Sequence, residues 1–244
     1  MSTQYDQIAD LYAAISDTNL IRTYVEQPSF LNVLGSIEGQ SILDVACGTG
    51  MYSRLLKKRG AARVMAVDIA PEMIAVAKRL EEQTELGVEY LTCDVAEMPT
   101  LGSFDVVTAV YLLHYAHSKE HLGRMCRRIS QNLKPGGRFV TMVANPEFNP
   151  AGPNYAKYGF TLSQRVDAPE GSSGALVFLG EPPVMIHYRH WTRATYEGAL
   201  AAAGFRTIVW ERLRPSPEAE ANFGREFWAD CLRNPYAHII HCEK

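Results

Sequence analysis

From Ser41 onward the chain alternates between short, nearly continuous apolar runs and longer segments whose apolar residues recur every three or four positions. The first pattern suits strands buried on both faces, and the second suits helices with one apolar stripe. In alternation they predict a parallel sheet covered by helices on both sides. "SILDVA" (41–46) reads as the first strand, followed by a helix from about Met51 with Leu55 and Leu56 inward. "ARVMAVD" is the second strand. Pro71 then fits the first turn of a helix carrying Met73, Ile74, Ala77 and Leu80 at helical spacing. "VEYLTCD" and "FDVVTAVYLL" are the third and fourth strands. Leu122, Met125, Ile129 and Leu133 stripe the next helix, and the Pro-Gly-Gly turn of "KPGG" launches the fifth strand, "RFVTMVA".

The pattern changes after Asn145. An insert at about 146–190 holds many Pro, Gly and Ser residues with scattered aromatics and shows no long period, so no regular structure is expected there. Regularity resumes at Thr192, an N-cap residue type, with Tyr196, Leu200 and Ala203 on one helical face and Gly204 as the stop. The strand "FRTIVWERL", a helix over about Glu218 to Leu232 and a last strand, "AHIIHCE", close the pattern. At the other end Tyr5, Ile8 and Tyr12 fall at i, i+3 and i+7, one face of a helix. The expected organisation is a helical N-terminal segment over 1–40, folding over a site as a lid or merely packing on the domain, and one domain over 41–244.

Composition narrows the class of partner. Hydrophobic residues make up 47% of the 244 and charged residues 21%, a globular balance, and the net charge of −3 speaks against nucleic acid as the main partner. No apolar run approaches the roughly 20 residues of a membrane span, and "MSTQYDQIADLY" lacks the basic start and apolar centre of a signal peptide. The five cysteines form no C-x-x-C pair. A cytoplasmic protein with reduced thiols, no metal, no membrane and a small-molecule partner is the expectation; nothing in the sequence sets its oligomeric state.

The candidate chemistry begins at "ILDVACGTG". Gly48 and Gly50 allow a tight turn behind a strand, bringing backbone N–H groups against a ligand at a helix N-terminus. A dinucleotide fingerprint would read G-x-G-x-x-G, but Ser53 stands at the third glycine. Asp44, two residues inside the strand end, would repel a pyrophosphate and suits a ligand bearing a sulfonium and an ammonium group. It could also cap the loop backbone. Asp68 ends the second strand, where a carboxylate can accept both hydroxyls of a ribose. Asp94 ends the third and can take an adenine amino hydrogen, with Val95 and Met73 as apolar faces for the ring. Each of these acids could instead cap a following helix.

"LDVACGTG", "AVDIAPEMI", "CDVAEMP", "FDVVTAVYLLHY" and "LKPGGRFV" resemble successive motifs of class I S-adenosylmethionine-dependent methyltransferases. The resemblance covers most of residues 1–145 and returns in "WTRATYEGALAAAGF". It implies an α/β Rossmann-like fold: a seven-stranded, mostly parallel sheet with the last strand antiparallel. It also implies S-adenosylmethionine as cofactor and S-adenosylhomocysteine as product. Asp44, Ala46, Gly48 and Gly50 would line the methionine end, Asp68 the ribose, and Asp94 and Val95 the adenine, with Ile69, Met73 and Val110 completing the wall. Ala46 departs from the glycine common there and should narrow the pocket slightly.

The acceptor side is less defined. Ligands of open α/β sheets sit beyond the carboxyl ends of the strands, so "VYLLHYAH" offers Tyr111 and Tyr115 as substrate walls and His114 as a base or hydrogen-bond donor. His117 and His121 are expected on a solvated helix start. "HYRHW", His187 to Trp191, adds aromatic surface that either faces the same mouth, with Trp191 as a substrate candidate, or packs the insert against the sheet rim. A lid would let Tyr5 or Tyr12 contact the sulfonium, the acceptor or the methionine carboxylate, with Arg22 either a further partner for that carboxylate or an ordinary surface arginine. Over its whole length the chain is similar to the N-methyltransferases of toxoflavin biosynthesis, which implies an azapteridine methylated at ring nitrogens, with two successive methylations permitted. The lack of an "NPPY"-type tetrapeptide where "AVYL" stands argues against exocyclic amino groups. C- or O-methylation of a quinone or phenol, and a non-catalytic cofactor-binding regulator, share every cofactor residue.

Overall fold

The computed structural model describes residues 4–6, 8–163 and 169–244. After a turn at the N-terminus come helix α1 (Ala9–Thr18), a π-helical turn (Arg22–Glu26) and α2 (Gln27–Leu34). The alternating region follows as β1 (Ser41–Val45), α3 (Met51–Lys58), β2 (Arg63–Asp68), α4 (Pro71–Thr84), β3 (Glu89–Thr92), β4 (Phe104–Val110), α5 (Lys119–Gln131) and β5 (Leu133–Ala144). Three short strands, β6 (Phe160–Ser163), β7 (Ser173–Phe178) and β8 (Val184–Arg189), occupy the insert. Helix α6 (Arg193–Ala202), β9 (Arg206–Arg212), α7 (Pro217–Phe223), α8 (Ala229–Arg233) and β10 (Ala237–Glu243) complete the chain.

Seven strands form one sheet in the order β3-β2-β1-β4-β5-β10-β9. Strands β1 to β5 are mutually parallel, and β10 runs antiparallel to both neighbours, as the resemblance implied. Both faces are buried, which is why the strands read as unbroken apolar runs: Ile42 joins one core with Val64, Val106 and Val140, and Leu43 joins the other with Val107, Leu122 and Ile129. Side-chain caps fix helix starts where the sequence supplies them. Ser118 accepts the N–H of His121, Thr192 that of Thr195, and Ser216 that of Ala219.

Four local expectations are corrected. The insert is an antiparallel three-stranded sheet, β6-β7-β8, whose strands of four to six residues are too short to show a period among the glycines and prolines. The helix expected over 218–232 is two short helices, because Gly224 leaves α7 with φ +79°. Leu133 opens β5 instead of closing α5, pairing with Phe104 before the Pro-Gly-Gly segment bulges and shifts the register to Val106 with Arg138. Tyr5 lies in a turn before α1, so it meets Tyr12 by chain reversal and not along a helix face.

The insert and C-terminal helices share an aromatic core. Trp228 is fully buried, stacks on Tyr158 with ring centroids 5.4 Å apart and donates its indole N–H to Ala219 at 2.9 Å. Replacing Trp228 with Ala should cost about 3–5 kcal/mol, since it empties a large site and orphans a buried carbonyl. A denaturation midpoint unchanged from the wild type would show that this core closes up without it.

Candidate functional site

The glycine loop between β1 and α3 is shaped by backbone sign and by two acids. Gly48 takes φ +54° and Gly50 φ +76°, and a side chain at Gly50 would also run into the Tyr90 ring. Ala46 adopts φ +56° without being glycine. The loop is then tied across to β2, where the Asp68 carboxylate accepts the Gly48 N–H at 2.8 Å and the Ala70 N–H at 2.9 Å. Asp44 does not cap the loop. It accepts the Ser53 hydroxyl at 2.6 Å and the Thr108 hydroxyl at 2.8 Å, so the serine at the missing third glycine holds the acid. Burial pushes Asp44 up to about 6 against the lowering effect of those two hydroxyls, and burial likewise raises Asp68.

Over this loop lies a cavity of about 460 Å³, within the range of small-molecule sites. Ala46, Gly48, Asp68, Ile69, Met73, Asp94, Val95 and Val110 line it from the sheet's carboxyl edge, with Tyr111 and Tyr115 from the end of β4. Asp94 also accepts the Ala96 N–H at 2.8 Å, so capping and lining are compatible uses of one carboxylate. A small side recess of about 50 Å³ adds Arg22, Asp44, Thr49 and Tyr52 next to Gly48. Gly50 shapes the turn without lining either space.

The N-terminal segment covers this cavity. The Gln4 side chain donates to the His187 carbonyl at 3.0 Å and accepts the His187 N–H at 2.9 Å, mimicking a further strand on the free edge of β8. Tyr5 and Tyr115 share a hydrogen bond between hydroxyls, and the Tyr5 ring meets Tyr12 edge-on at 5.5 Å. Asp10 pairs with Arg79 of α4 on the outside. Beside it, the insert contributes Ser173, His187, Tyr188 and Arg189. The "HYRHW" segment was expected either at this mouth or packed on the sheet rim, and its His187, Tyr188 and Arg189 line the cavity; Gln4 was not foreseen, because its partner His187 lies 183 residues away.

A second recess, about 60 Å³, adjoins the large cavity through Tyr5, Tyr12, Tyr111, Tyr115 and Tyr188. His114 lines it, buried, with Nδ1 accepting the Ala144 N–H at 3.3 Å. Burial pushes this imidazole down to about 3, so it is neutral with its proton on Nε2. With the Nδ1 lone pair taken by the backbone, the group His114 offers the recess is its Nε2–H, which favours the donor reading over the base reading. Arg22 also reaches this recess, donating to the Tyr12 hydroxyl at 3.1 Å and pairing with Glu26 at 3.5 Å. Glu26 in turn accepts the hydroxyls of Tyr111 and Tyr236.

Two further placements differ from expectation. Trp191 is buried among α5 and α6 residues, donates its indole N–H to the Ala116 carbonyl at 3.2 Å and lines none of these spaces, so it is a packing residue. His121 is buried, not solvated: it accepts the His117 N–H at 3.3 Å and lines the large cavity with Met125, one helical turn on. That i, i+4 pair was the signal available in the sequence. Among the described residues no group of three His, Cys, Asp or Glu could hold a metal ion, and no helix is long and apolar enough to cross a membrane.

Residues 42–137 match the family model described as a methyltransferase domain. A ubiquinone biosynthesis O-methyltransferase of Xanthomonas oryzae pv. oryzae is 33% identical over 111 residues, 45% of this chain and 45% of that protein. The aligned stretch thus spans about half the length of the curated relatives it matches. Among solved structures, an S-adenosylmethionine-dependent methyltransferase from Mesorhizobium loti superposes with a TM-score of 0.65 at 22% identity, covering 90% of this chain and 97% of that one. The CcbJ methyltransferase from Streptomyces caelestis does so with a TM-score of 0.70 at 18% identity, over 99% and 97%. Residues 42–137 thus match a methyltransferase domain, and the chain as a whole takes the fold of S-adenosylmethionine-dependent methyltransferases.

The raised Asp44 carboxyl has a stability signature. Its folded pKa of about 6 lies above its ordinary 3.8, so its stabilising contribution is fully present below pH 3.8 and is lost as pH rises through about 6. Asp44→Asn stays neutral throughout. It should match the unliganded wild type near pH 4 and exceed it at pH 8 by up to about 3 kcal/mol. Melting curves that differ by the same amount at both pH values would show that Asp44 ionises freely in the fold.

Proposed function

We propose that the protein transfers a methyl group from S-adenosylmethionine to a ring nitrogen of a flat heteroaromatic acceptor, an azapteridine of the kind found in toxoflavin biosynthesis. The observation that carries this reading is the tyrosine-walled junction between the two cavities, where Tyr5, Tyr12, Tyr111, Tyr115 and Tyr188 surround the passage from the glycine loop to the inner recess. Aromatic faces suit both an electron-poor methyl group and a flat ring. The supporting residues divide the cofactor among them. Asp68 suits the ribose, Asp94 and Val95 the adenine, and Gly48, Asp44 and Arg22 the methionine end, where Arg22 offers a buried cation for a carboxylate.

The cofactor supplies an electrophilic methyl on a sulfonium: the nitrogen lone pair forms the new N–C bond as the S–C bond breaks, its electrons staying on sulfur, and the ring N–H proton leaves to solvent. The chain's part is alignment and exclusion of water. Tyr5 and Gln4 close the cavity from above, and His114, neutral and donating from Nε2, can hold a ring carbonyl or nitrogen without competing for the proton. The recess is narrow, about 60 Å³, and Tyr5 and Tyr12 line it, so the N-terminal segment acts as a gate that lifts to admit a bicyclic acceptor. Such a gate fits a small-molecule enzyme of the cytoplasm with all five cysteines free.

The O-methyltransferase reading of a quinone or phenol takes its support from the curated relatives. The family match at 42–137 excludes both the N-terminal segment and the insert, the two parts that wall the acceptor side, so those names bear on the cofactor half.

Two experiments test the proposal. Asp68→Asn should weaken S-adenosylmethionine binding by about 2 kcal/mol, roughly thirtyfold, by calorimetry; an unchanged affinity would remove Asp68 from the ribose. The second is incubation of the enzyme and cofactor with an azapteridine lacking both N-methyl groups. It should give products one and then two methyl masses heavier, with His114→Ala slowing turnover about tenfold. Brisk turnover of a phenol or quinone beside an inert azapteridine would overturn the acceptor.

A further inference from the structure

The inner recess sets one carboxylate and two phenols beside the Arg22 guanidinium in a largely apolar lining. Glu26 is 5% exposed and sits on the π-helical turn Arg22–Glu26, a rare backbone form that turns Arg22, Val25 and Glu26 inward together. Its Oε1 accepts the hydroxyl protons of Tyr111, from the end of β4, and Tyr236, from the start of β10. The two phenol oxygens lie 3.4 Å apart, both aimed at that one carboxylate oxygen. Glu26, Tyr111 and Tyr236 all line the recess.

Proton bookkeeping then fixes what this side can recognise. A carboxylate only accepts, and a phenol has a single proton to give. Burial keeps both phenols protonated, raising Tyr111 and Tyr236 well above their ordinary value, with the Glu26 charge adding to the effect. With both protons committed to Glu26, the phenol oxygens have only lone pairs left for a ligand. The same recess carries His114, edge-on to the Tyr111 ring at 5.6 Å, whose free hydrogen is on Nε2 and which therefore donates.

Resting on the reading of the recess as the acceptor site, we propose that Glu26 is a specificity-determining positioning residue. By holding Tyr111 and Tyr236 as obligate hydrogen-bond acceptors, it selects planar rings that present an N–H or O–H to this side and discriminates against the same ring with those hydrogens replaced by methyl. Buried acceptors left without a donor lose far more than an unfilled apolar pocket does, so the discrimination is intrinsically large. It would also favour release of a fully methylated product.

The test is calorimetry on the full chain saturated with S-adenosylhomocysteine, comparing lumazine, which has two ring N–H groups, with 1,3-dimethyllumazine, which has none. The wild type should bind lumazine at least tenfold more tightly. Glu26→Gln keeps a side-chain oxygen for the tyrosines but places an amide donor in the recess, and the ratio should fall to about one. Tyr236→Phe removes one accepting oxygen and its single bond to Glu26, leaves the Tyr111 bond and Arg22 in place, and should lower the ratio severalfold; it decides the matter if Glu26→Gln does not fold by circular dichroism. Equal binding of both rings by the wild type overturns the inference and spares the acceptor reading. A preference that survives in Glu26→Gln and Tyr236→Phe is steric and also overturns it. Binding of neither ring overturns the acceptor reading and this inference together.

Discussion

The site depends on one carboxylate. Asp68 closes the end of β2 onto the glycine loop through the Gly48 N–H and onto the start of α4 through the Ala70 N–H. Without it the loop would be tied to β2 only by the Cys47 N–H on the Val67 carbonyl at 3.0 Å. With it, the loop at the bottom of the cavity and the helix beside it are held by charge-assisted bonds in a buried place. The position of every other cofactor-facing group follows from that fixed edge. Asp94 and Val95 stand one strand further out, just past the end of β3, and Tyr111 follows β4 on the other side of β1.

Sheet order explains why the cleft opens where it does. The chain steps outward from β1 to β2 and β3, then returns to place β4 on the opposite side of β1. Successive crossovers therefore leave β1 and β4 in opposite directions, and a crevice forms at their carboxyl ends. This much is independent of the acceptor. The acceptor side is built from chain outside the alternating pattern. The N-terminal segment lies above, the three-stranded insert to one side, and Tyr236 enters from the start of β10. The fold alone therefore says little of the acceptor, and the added segments carry that information.

The parts legible in the sequence were those encoded locally. Strand and helix alternation from Ser41 to Ala144, the caps at Thr192 and Gly204, and the acids at the strand ends all follow from neighbours within a few residues. The glycine loop was legible too, although Asp44 serves Ser53 and Thr108 and not the loop backbone. What could not be read was non-local. The four-residue strand β6 has no period to detect, and the Gln4 contact with His187 spans 183 positions. Glu26 looks like an ordinary helical acid until Tyr236, 210 residues away, points its hydroxyl at it. His121 and Trp191 were exchanged in role for the same reason. Amphipathic spacing gives the face of a helix, but only the assembled sheet tells which face meets a cavity and which meets a core.

Backbone strain marks the same junction independently of any side-chain reading. Ala46 follows β1 at φ +56° and Tyr111 follows β4 at φ +67°, neither of them glycine, on the two strands between which the crevice opens. Each such residue costs on the order of 1–2 kcal/mol and persists only where its surroundings over-determine it. For Tyr111 the restraints are visible at both ends: its N–H donates to the Met142 carbonyl at 3.0 Å, and its hydroxyl is fixed by Glu26. The strain turns the Tyr111 ring out of the strand's alternation and into the space where the large cavity, the methionine-side recess and the inner recess meet. A residue in ordinary extended conformation there would send its side chain into one face of the sheet. The left-handed turn is what lets a single ring border all three spaces, and Glu26 is what keeps it there.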